Sequence, residues 1–332
     1  MLRPFFVAVS AMRNQSGGSL GVAYIEESCN LSVMESYFIV DGGGTNTRGW
    51  LVSSDGTILN EGKAGPSNVA RLGDEGLRIA LTELIADCPA ARTCSEVVLG
   101  LAGVGRERER DLAVSVAKEF WPKIEIQVVT DAHLMYAGAF CKGERGILLI
   151  VGTGSIAFYQ NPQGHEFFRA GGWGPLLGDE GSGAWIGREA LRHCLWEGER
   201  AELSPFHAAI LEKLSIGATH EIITKVYRED FGPTRWAELA PLVFDFADEQ
   251  PEVMAILERA VLELIDQVER LLEDMPQNMA KLPLVVTGGL WERRDVLEPL
   301  LLEEIEMRNL PLKISEPDGG AVDGGMAILK KG

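Results

Sequence analysis

The chain has 332 residues, of which 46% are hydrophobic and 24% charged, the proportions of a soluble globular protein of about two domains. A formal net charge of −18 argues against a protein that grips nucleic acid by neutralising phosphates with Lys and Arg. No stretch approaches the roughly 18 uninterrupted apolar residues of a membrane span.

Residues 1–35 are read as a disordered leader or an over-called start. Phe5 to Ala11 is a short apolar run behind Arg3, but Arg13, Asn14, Gln15 and Gly17-Gly18 follow it without a convincing cleavage site. Fold-like patterning begins after Met34. Tyr37 to Val40 is a buried strand running into Asp41-Gly42-Gly43-Gly44-Thr45. Strands over Arg48–Val52 and Thr57–Gly62 flank Ser53-Ser54-Asp55-Gly56, a hairpin signal. Leu72–Cys88 has helical spacing. Val97–Leu101 reads as a strand, Arg106–Phe120 as a helix, Ile124–Val129 as a strand, and Asp131 opens a helix to about Cys141.

The same unit then recurs. Gly146–Val151 ends in Gly152-Thr153-Gly154-Ser155, followed by a strand over Ile156–Gln160, the turn Asn161-Pro162-Gln163-Gly164 and a strand near Phe167-Phe168. Later come a long amphipathic helix over Pro251–Met275, a strand over Leu284–Thr287 with Gly288-Gly289, and a helix from Trp291. A last strand over Leu312–Ser315 and a glycine-rich turn lead into a short C-terminal helix. Alternation of this kind predicts an α/β fold, and the repeated unit predicts two related lobes, at 36–143 and 144–332, each offering a glycine hairpin to a shared cleft. The five cysteines, Cys29, Cys88, Cys94, Cys141 and Cys194, are scattered with no C-x-x-C, which fits a reducing cytoplasm better than a disulfide framework or zinc site.

Glycines at 42–44 permit close approach of a ligand to the backbone, and freed N–H groups beside Thr45 and Asn46 suit phosphate oxygens. Asp41 at a strand end suits Mg²⁺, which keeps several waters and takes one or two carboxylates. The spacing is neither Walker A nor Rossmann, and a ligand-free hairpin is the plain alternative. Gly152, Thr153 and Gly154 form a second phosphate-suited turn, and Gly288-Gly289 a third candidate, for adenine and ribose. Asp131 reads either as a helix cap or as a general base aimed at an attacking hydroxyl. Gly171-Gly172-Trp173-Gly174 through Gly178-Asp179-Glu180-Gly181-Ser182 is costly to order without a ligand. Asp179 suits sugar hydroxyls and Trp173 a sugar face; the alternative has Ser182 or Asp179 capping a helix to about Trp196, with Trp173 in the core.

Together Asp41–Thr45, Thr130-Asp131-Ala132, Gly152–Ser155, Gly171–Gly174 and Gly178–Ser182 resemble the N-acetylglucosamine kinase branch of the BadF/BadG/BcrA/BcrD ATPases. That group lies within the actin-like and hexokinase-like ATPase superfamily. The resemblance runs from about Tyr37 to the C-terminus and implies two ribonuclease H-like lobes around an ATP cleft. It implies Mg²⁺ held through water by Asp41, phosphates near Gly43, Gly44 and Thr45 and at Gly152–Gly154, and adenosine at Gly288-Gly289. Asp131 matches the catalytic base. Asn68, Ser155, Gly172 and Asp179 match positions around the amino sugar, beside the apolar face read for Trp173. Where the animal enzyme has an aromatic residue two places after that Asn, this chain has Ala70, which implies a wider pocket. N-acetylmuramic acid or glucosamine therefore stands beside N-acetylglucosamine as a substrate. A cytoplasmic homodimer that binds neither nucleic acid nor membrane completes the expectation. The competing readings are an activator-type ATPase with a shared iron–sulfur cluster, for which the cysteines show no close pair near a glycine loop, and a sugar-responsive repressor, for which residues 1–36 are too short and insufficiently basic.

Overall fold

The computed structural model describes residues 35–160, 167–200, 202–228, 230–273 and 281–330. The leader with Cys29, the turn Asn161–Gly164 and the end of the helix expected to reach Met275 lie outside the described residues. The first sheet is a meander of β1 (Ser36–Gly42), β2 (Thr47–Ser53) and β3 (Ile58–Ala64), extended by β4 (Glu96–Leu101) and β5 (Glu125–Thr130). Its order is β3-β2-β1-β4-β5, with β1, β4 and β5 parallel and the meander antiparallel.

Alternation along the strands assigns the two faces. Phe38 and Val40 of β1, with Val97 and Leu99 of β4, face α1 (Val69–Asp87) and α2 (Glu107–Phe120). Leu77, Leu81 and Leu84 of α1 and the fully buried Trp121 fill that layer, and Trp121 Nε1 donates to the Ala91 carbonyl at 2.8 Å. Helix α1 begins at Val69, three residues before the periodic run from Leu72, because Asn68 caps it. A kink at Gly73 (φ 67°) separates this first turn from the rest.

The second sheet repeats the plan with β6 (Ile147–Val151), β7 (Ser155–Gln160), β8 (Phe167–Gly171), β9 (Leu282–Thr287) and β10 (Leu312–Ser315), in the order β8-β7-β6-β9-β10. Strands β6, β9 and β10 are parallel and the meander antiparallel, so both sheets share one topology. The second lobe differs by the helices between β8 and β9. These are α4 (Gly183–Glu197), α5 (Pro205–Leu214), α6 (Glu221–Val226), α7 (Pro233–Ala237), α8 (Ala240–Phe246) and α9 (Pro251–Glu273). Leu257, Val261, Leu264 and Val268 lay the apolar stripe of α9 into the same core as Leu149 and Val151 of β6. After β9 a short 3₁₀ turn over Gly289–Arg293 leads into α10 (Arg294–Met307).

Helix α3 (Asp131–Ala139) is apolar nearly all round, the signature of a helix buried on every side. Leu134 packs with Ile39, Val52 and Val98 on the free face of the first sheet, whereas Ala132, Tyr136 and Phe140 pack with Leu148, Phe158 and Val285 of the second. The C-terminal helix α11 (Ala321–Leu329) lies in the stretch expected to form the second lobe, yet Met326 and Ile328 join the Ile39–Leu134 cluster. The chain thus crosses back to the first sheet, because the face carrying Ile39 and Val98 needs an apolar cover. Glycines permit the crossing: a Cβ at Gly324 would overlap the Leu134 carbonyl, and one at Gly138 the Gly320 carbonyl.

Candidate active site

Parallel strands present their carboxyl ends on one edge, where open α/β sheets bind ligands. In the first sheet that edge carries Asp41 at the end of β1, the Ala102-Gly103 turn after β4, and Asp131 directly after β5. Asp41 lies opposite Arg48 on β2 and Gly100 on β4. Burial, reinforced by the nearby Asp131 carboxylate and opposed by Arg48, pushes the Asp41 carboxyl up to about 6. Burial likewise raises Asp131, against a hydrogen bond from the Ala132 N–H to its Oδ1 at 2.9 Å. The cap reading of that turn belongs to Thr130, whose Oγ1 accepts from the His133 N–H at 3.0 Å, so Asp131 is not used as the cap.

The β1–β2 turn is closed by the Gly43 N–H donating to the Asn46 carbonyl at 2.9 Å, with Gly44 and Thr45 exposed at its tip. Its other side is tied to the Pro66-Ser67-Asn68 turn. The Ser67 N–H donates to the Gly43 carbonyl at 3.1 Å, and Thr47 Oγ1 lies 2.8 Å from Ser67 Oγ and 2.7 Å from the Gly65 carbonyl. Asn68 Oδ1 accepts from the Arg71 N–H at 3.1 Å, so the side-chain oxygen serves as the cap of α1. Gly103 (φ 83°) packs beneath this turn: a Cβ there would lie 2.5 Å from Asn68 Oδ1 and 2.6 Å from the Ala70 nitrogen. Gly103 is absent from the motifs read in the sequence, although it follows an apolar strand as Gly288 follows β9.

In the second sheet Gly152–Gly154 turns at the end of β6, and Gly288 at the end of β9 comes so near that a Cβ would overlap the Val151 carbonyl. The structure therefore brings the second hairpin and Gly288-Gly289 together. The N–H groups of Gly183 and Ala184 at the start of α4 donate to the carbonyls of Gly152 and Thr153, which seats the hairpin on that helix. Ser182 caps α4 through the Trp185 N–H.

Asp179, with φ 57° and 8% exposure, sits inside the Gly171–Ser182 loop. Its Oδ1 accepts from the Gly174 N–H at 3.1 Å, the Ser155 N–H reaches the carboxylate, and a Cβ at Gly154 would fall 2.6 Å from Oδ2. Burial outweighs these hydrogen bonds and raises its pKa. Gly172 (φ 68°) donates its N–H to the Ser155 carbonyl. Trp173 is not core: it is 66% exposed and stacked on the Arg169 guanidinium, 4.1 Å from the ring centroid. Ser155 is buried and its Oγ is engaged with the Glu180 carbonyl and Gln267, so the hydroxyl shapes the loop from behind. Gln267 also lies outside the sequence motifs; its signal was an amide on the apolar stripe of α9, between Leu264 and Leu271.

Paired sheets of one topology, each with a glycine hairpin at the end of its first strand, define a two-lobed α/β protein. The chain belongs to the BadF/BadG/BcrA/BcrD ATPase family, which it matches over residues 40–322. It is 32% identical over 296 residues to the N-acetyl-D-glucosamine kinase of Dictyostelium discoideum, covering 83% of this chain and 92% of that one. It is 31% identical to the N-acetylmuramic acid/N-acetylglucosamine kinase of Clostridium acetobutylicum, covering 75% and 83%. Among solved structures, a Chromobacterium violaceum protein provisionally designated an N-acetylglucosamine kinase superposes with a TM-score of 0.72 at 29% identity, covering 89% of this chain and all but 1% of that one. A ROK-family glucokinase from Streptomyces griseus shares the fold, with a TM-score of 0.53 at 16% identity, over 90% of this chain and 100% of that one.

Proposed function

We propose that the protein transfers the terminal phosphate of ATP to the primary hydroxyl of an N-acetylhexosamine, with N-acetylglucosamine giving its 6-phosphate. The observation that carries this reading is Asp131, a desolvated carboxylate beside Asp41, on a helix gripped by both sheets. A carboxylate whose pKa is raised by burial accepts a proton from an attacking hydroxyl more readily than an ordinary one, and its rigid mount keeps it aligned. Phosphoryl transfer otherwise depends on positioning and charge neutralisation.

Asp41 and Asp131 raise the cost of each other's ionisation, an arrangement that a divalent cation relieves, so these residues fit Mg²⁺. Asp41 would hold the ion through water, and the ion would supply neutralisation of the phosphate charge. Gly43, Gly44 and Thr45 would take phosphate oxygens in the first lobe and Gly152, Thr153 and Gly154 in the second, with adenosine at Gly288-Gly289. Asn68, Gly172, Trp173 and Asp179 would surround the sugar, with Ser155 supporting them. Closure of the lobes would exclude water and limit wasteful hydrolysis.

Ala70 is exposed beside Asn68, which favours a pocket that also admits a bulkier substituent such as that of N-acetylmuramic acid. The buried thiols of Cys94 and Cys194, pushed up to about 12, are poor iron–sulfur ligands, which weighs against an activator-type ATPase. A homodimer is part of the reading and is checked by sedimentation. Among the described residues no helix is long and apolar enough to cross a membrane.

The test is coupled ADP release with Mg-ATP against N-acetylglucosamine, N-acetylmuramic acid, N-acetylmannosamine, glucosamine and glucose. Release that depends on an N-acetylhexosamine supports the reading. Preference for glucosamine moves the substrate to the free amine, and release independent of sugar replaces the kinase with an ATPase.

A further inference from the structure

Helix α9 contributes one polar side chain to the site from deep inside the second core. Gln267 is fully buried; its Nε2 donates to Ser155 Oγ at 3.0 Å and to the Glu180 carbonyl at 2.9 Å. Ser155 Oγ completes the triangle by donating to the same carbonyl at 2.7 Å. Turned over, the amide would set its oxygen against the Glu180 carbonyl, acceptor against acceptor, so its orientation is determined. Gln267 Oε1 is left buried with no partner, pressed against Gly171, where a Cβ would overlap it.

A buried carbonyl without a donor is destabilising, and an apolar side chain of similar size would fill this space without that cost. Set against that cost are the two hydrogen bonds from Nε2, and both go to atoms of the two loops. Ser155 follows Gly152–Gly154, and Glu180 follows Asp179. On the function proposed above, the first stretch holds phosphate and the second holds sugar. The geometry points to Gln267 as a positioning residue that locks the phosphate loop and the sugar loop of the second lobe into one rigid body, so that either substrate pre-orders the site for the other. Asp179 adds a parallel tie through Gly154 and the Ser155 N–H. Ordering one loop while binding one ligand lowers the ordering cost left for the second, and such coupling is reciprocal.

The experiment measures, by calorimetry, the affinity of a non-hydrolysable ATP analogue with and without saturating N-acetylglucosamine, for the wild type and for Gln267→Leu. Wild type is expected to bind the analogue about tenfold more tightly with sugar present. In Gln267→Leu that ratio should fall below about twofold, and the KM for sugar should rise about tenfold, with analogue affinity in the absence of sugar little changed. Ser155→Ala removes the shared hydroxyl without adding bulk and should lower the same ratio; should Gln267→Leu not fold, it decides alone. Folded variants that keep the wild-type ratio, or a wild type whose two affinities are independent, would overturn the coupling role. A wild type that binds no sugar of the panel overturns the kinase reading itself and the coupling with it, and this is read before any variant is made.

Discussion

The two hairpins occupy equivalent places on sheets of one topology, yet they divide the chemistry unequally. The turn after β1 closes on the pair Gly42–Thr47, and the residue pair just behind it is Asp41 with Arg48. The turn after β6 closes on Val151–Ser155, and the matching pair is Ile150 with Ile156. The first lobe thus places charge where the second places aliphatic carbon. The first lobe sets the carboxylates Asp41 and Asp131 at its strand ends, whereas the second keeps its carboxylate, Asp179, in the loop before α4. The ties behind the hairpins differ as well. In the first lobe Thr47 reaches Ser67, only 20 residues away, whereas in the second Ser155 is held by Gln267, 112 residues away. A local tie forms with its own hairpin; the distant one exists only once α9 has packed.

That asymmetry is open to direct challenge. The largest expected effect belongs to Asp131→Asn, which should lower kcat by about 10²- to 10⁴-fold while nucleotide analogue binding and the melting curve are retained. Near wild-type turnover would remove the base from the first lobe. Asp41→Asn probes the charge itself. A carboxyl raised to about 6 in the fold but near 3.8 unfolded contributes stability that is fully present below 3.8 and lost as pH rises through about 6. Without ligand, the variant should therefore be more stable than wild type at pH 7.5, by about 2 kcal/mol, and no more stable at pH 4. Thermal melts across that range, together with loss of activity, check it. Ser67→Ala breaks the local tie and should cost about 1–2 kcal/mol of stability, read by denaturant unfolding, with a weaker effect on sugar–nucleotide coupling than Gln267→Leu. The smallest effect is expected from Ala70→Phe. By narrowing the sugar turn it should lower kcat/KM for N-acetylmuramic acid about tenfold more than for N-acetylglucosamine. Equal effects on both sugars would show that residue 70 does not border the sugar.

The strands and the glycine turns were legible because each is a local event. An apolar run of four or five residues ending in glycine leaves few alternatives, and the repeated strand–turn–strand unit anticipated two sheets of one plan. Local reasoning failed where two local answers were both available. The cap of α4 fell to Ser182 rather than Asp179, because Asp179 is drawn onto Gly174 and the second hairpin. Trp173, open between core and ligand face in the sequence, stands out in solvent on Arg169. The hydroxyl of Ser155 bonds to the Glu180 carbonyl and Gln267, partners no local pattern around Ser155 records.

By itself the sequence determined the α/β character and the paired hairpins, since period, glycine placement and strand-end carboxylates are properties of short segments. Only the tertiary structure decided that α11 returns to the first sheet, that α3 is shared between the lobes, that the charge of Asp131 bears on Asp41, and that Gln267 joins two loops. Each of these is a contact between segments far apart in the chain. Such contacts are selected by which apolar faces remain uncovered and which polar groups remain unpaired after the local elements have formed, and no short stretch of sequence records that remainder.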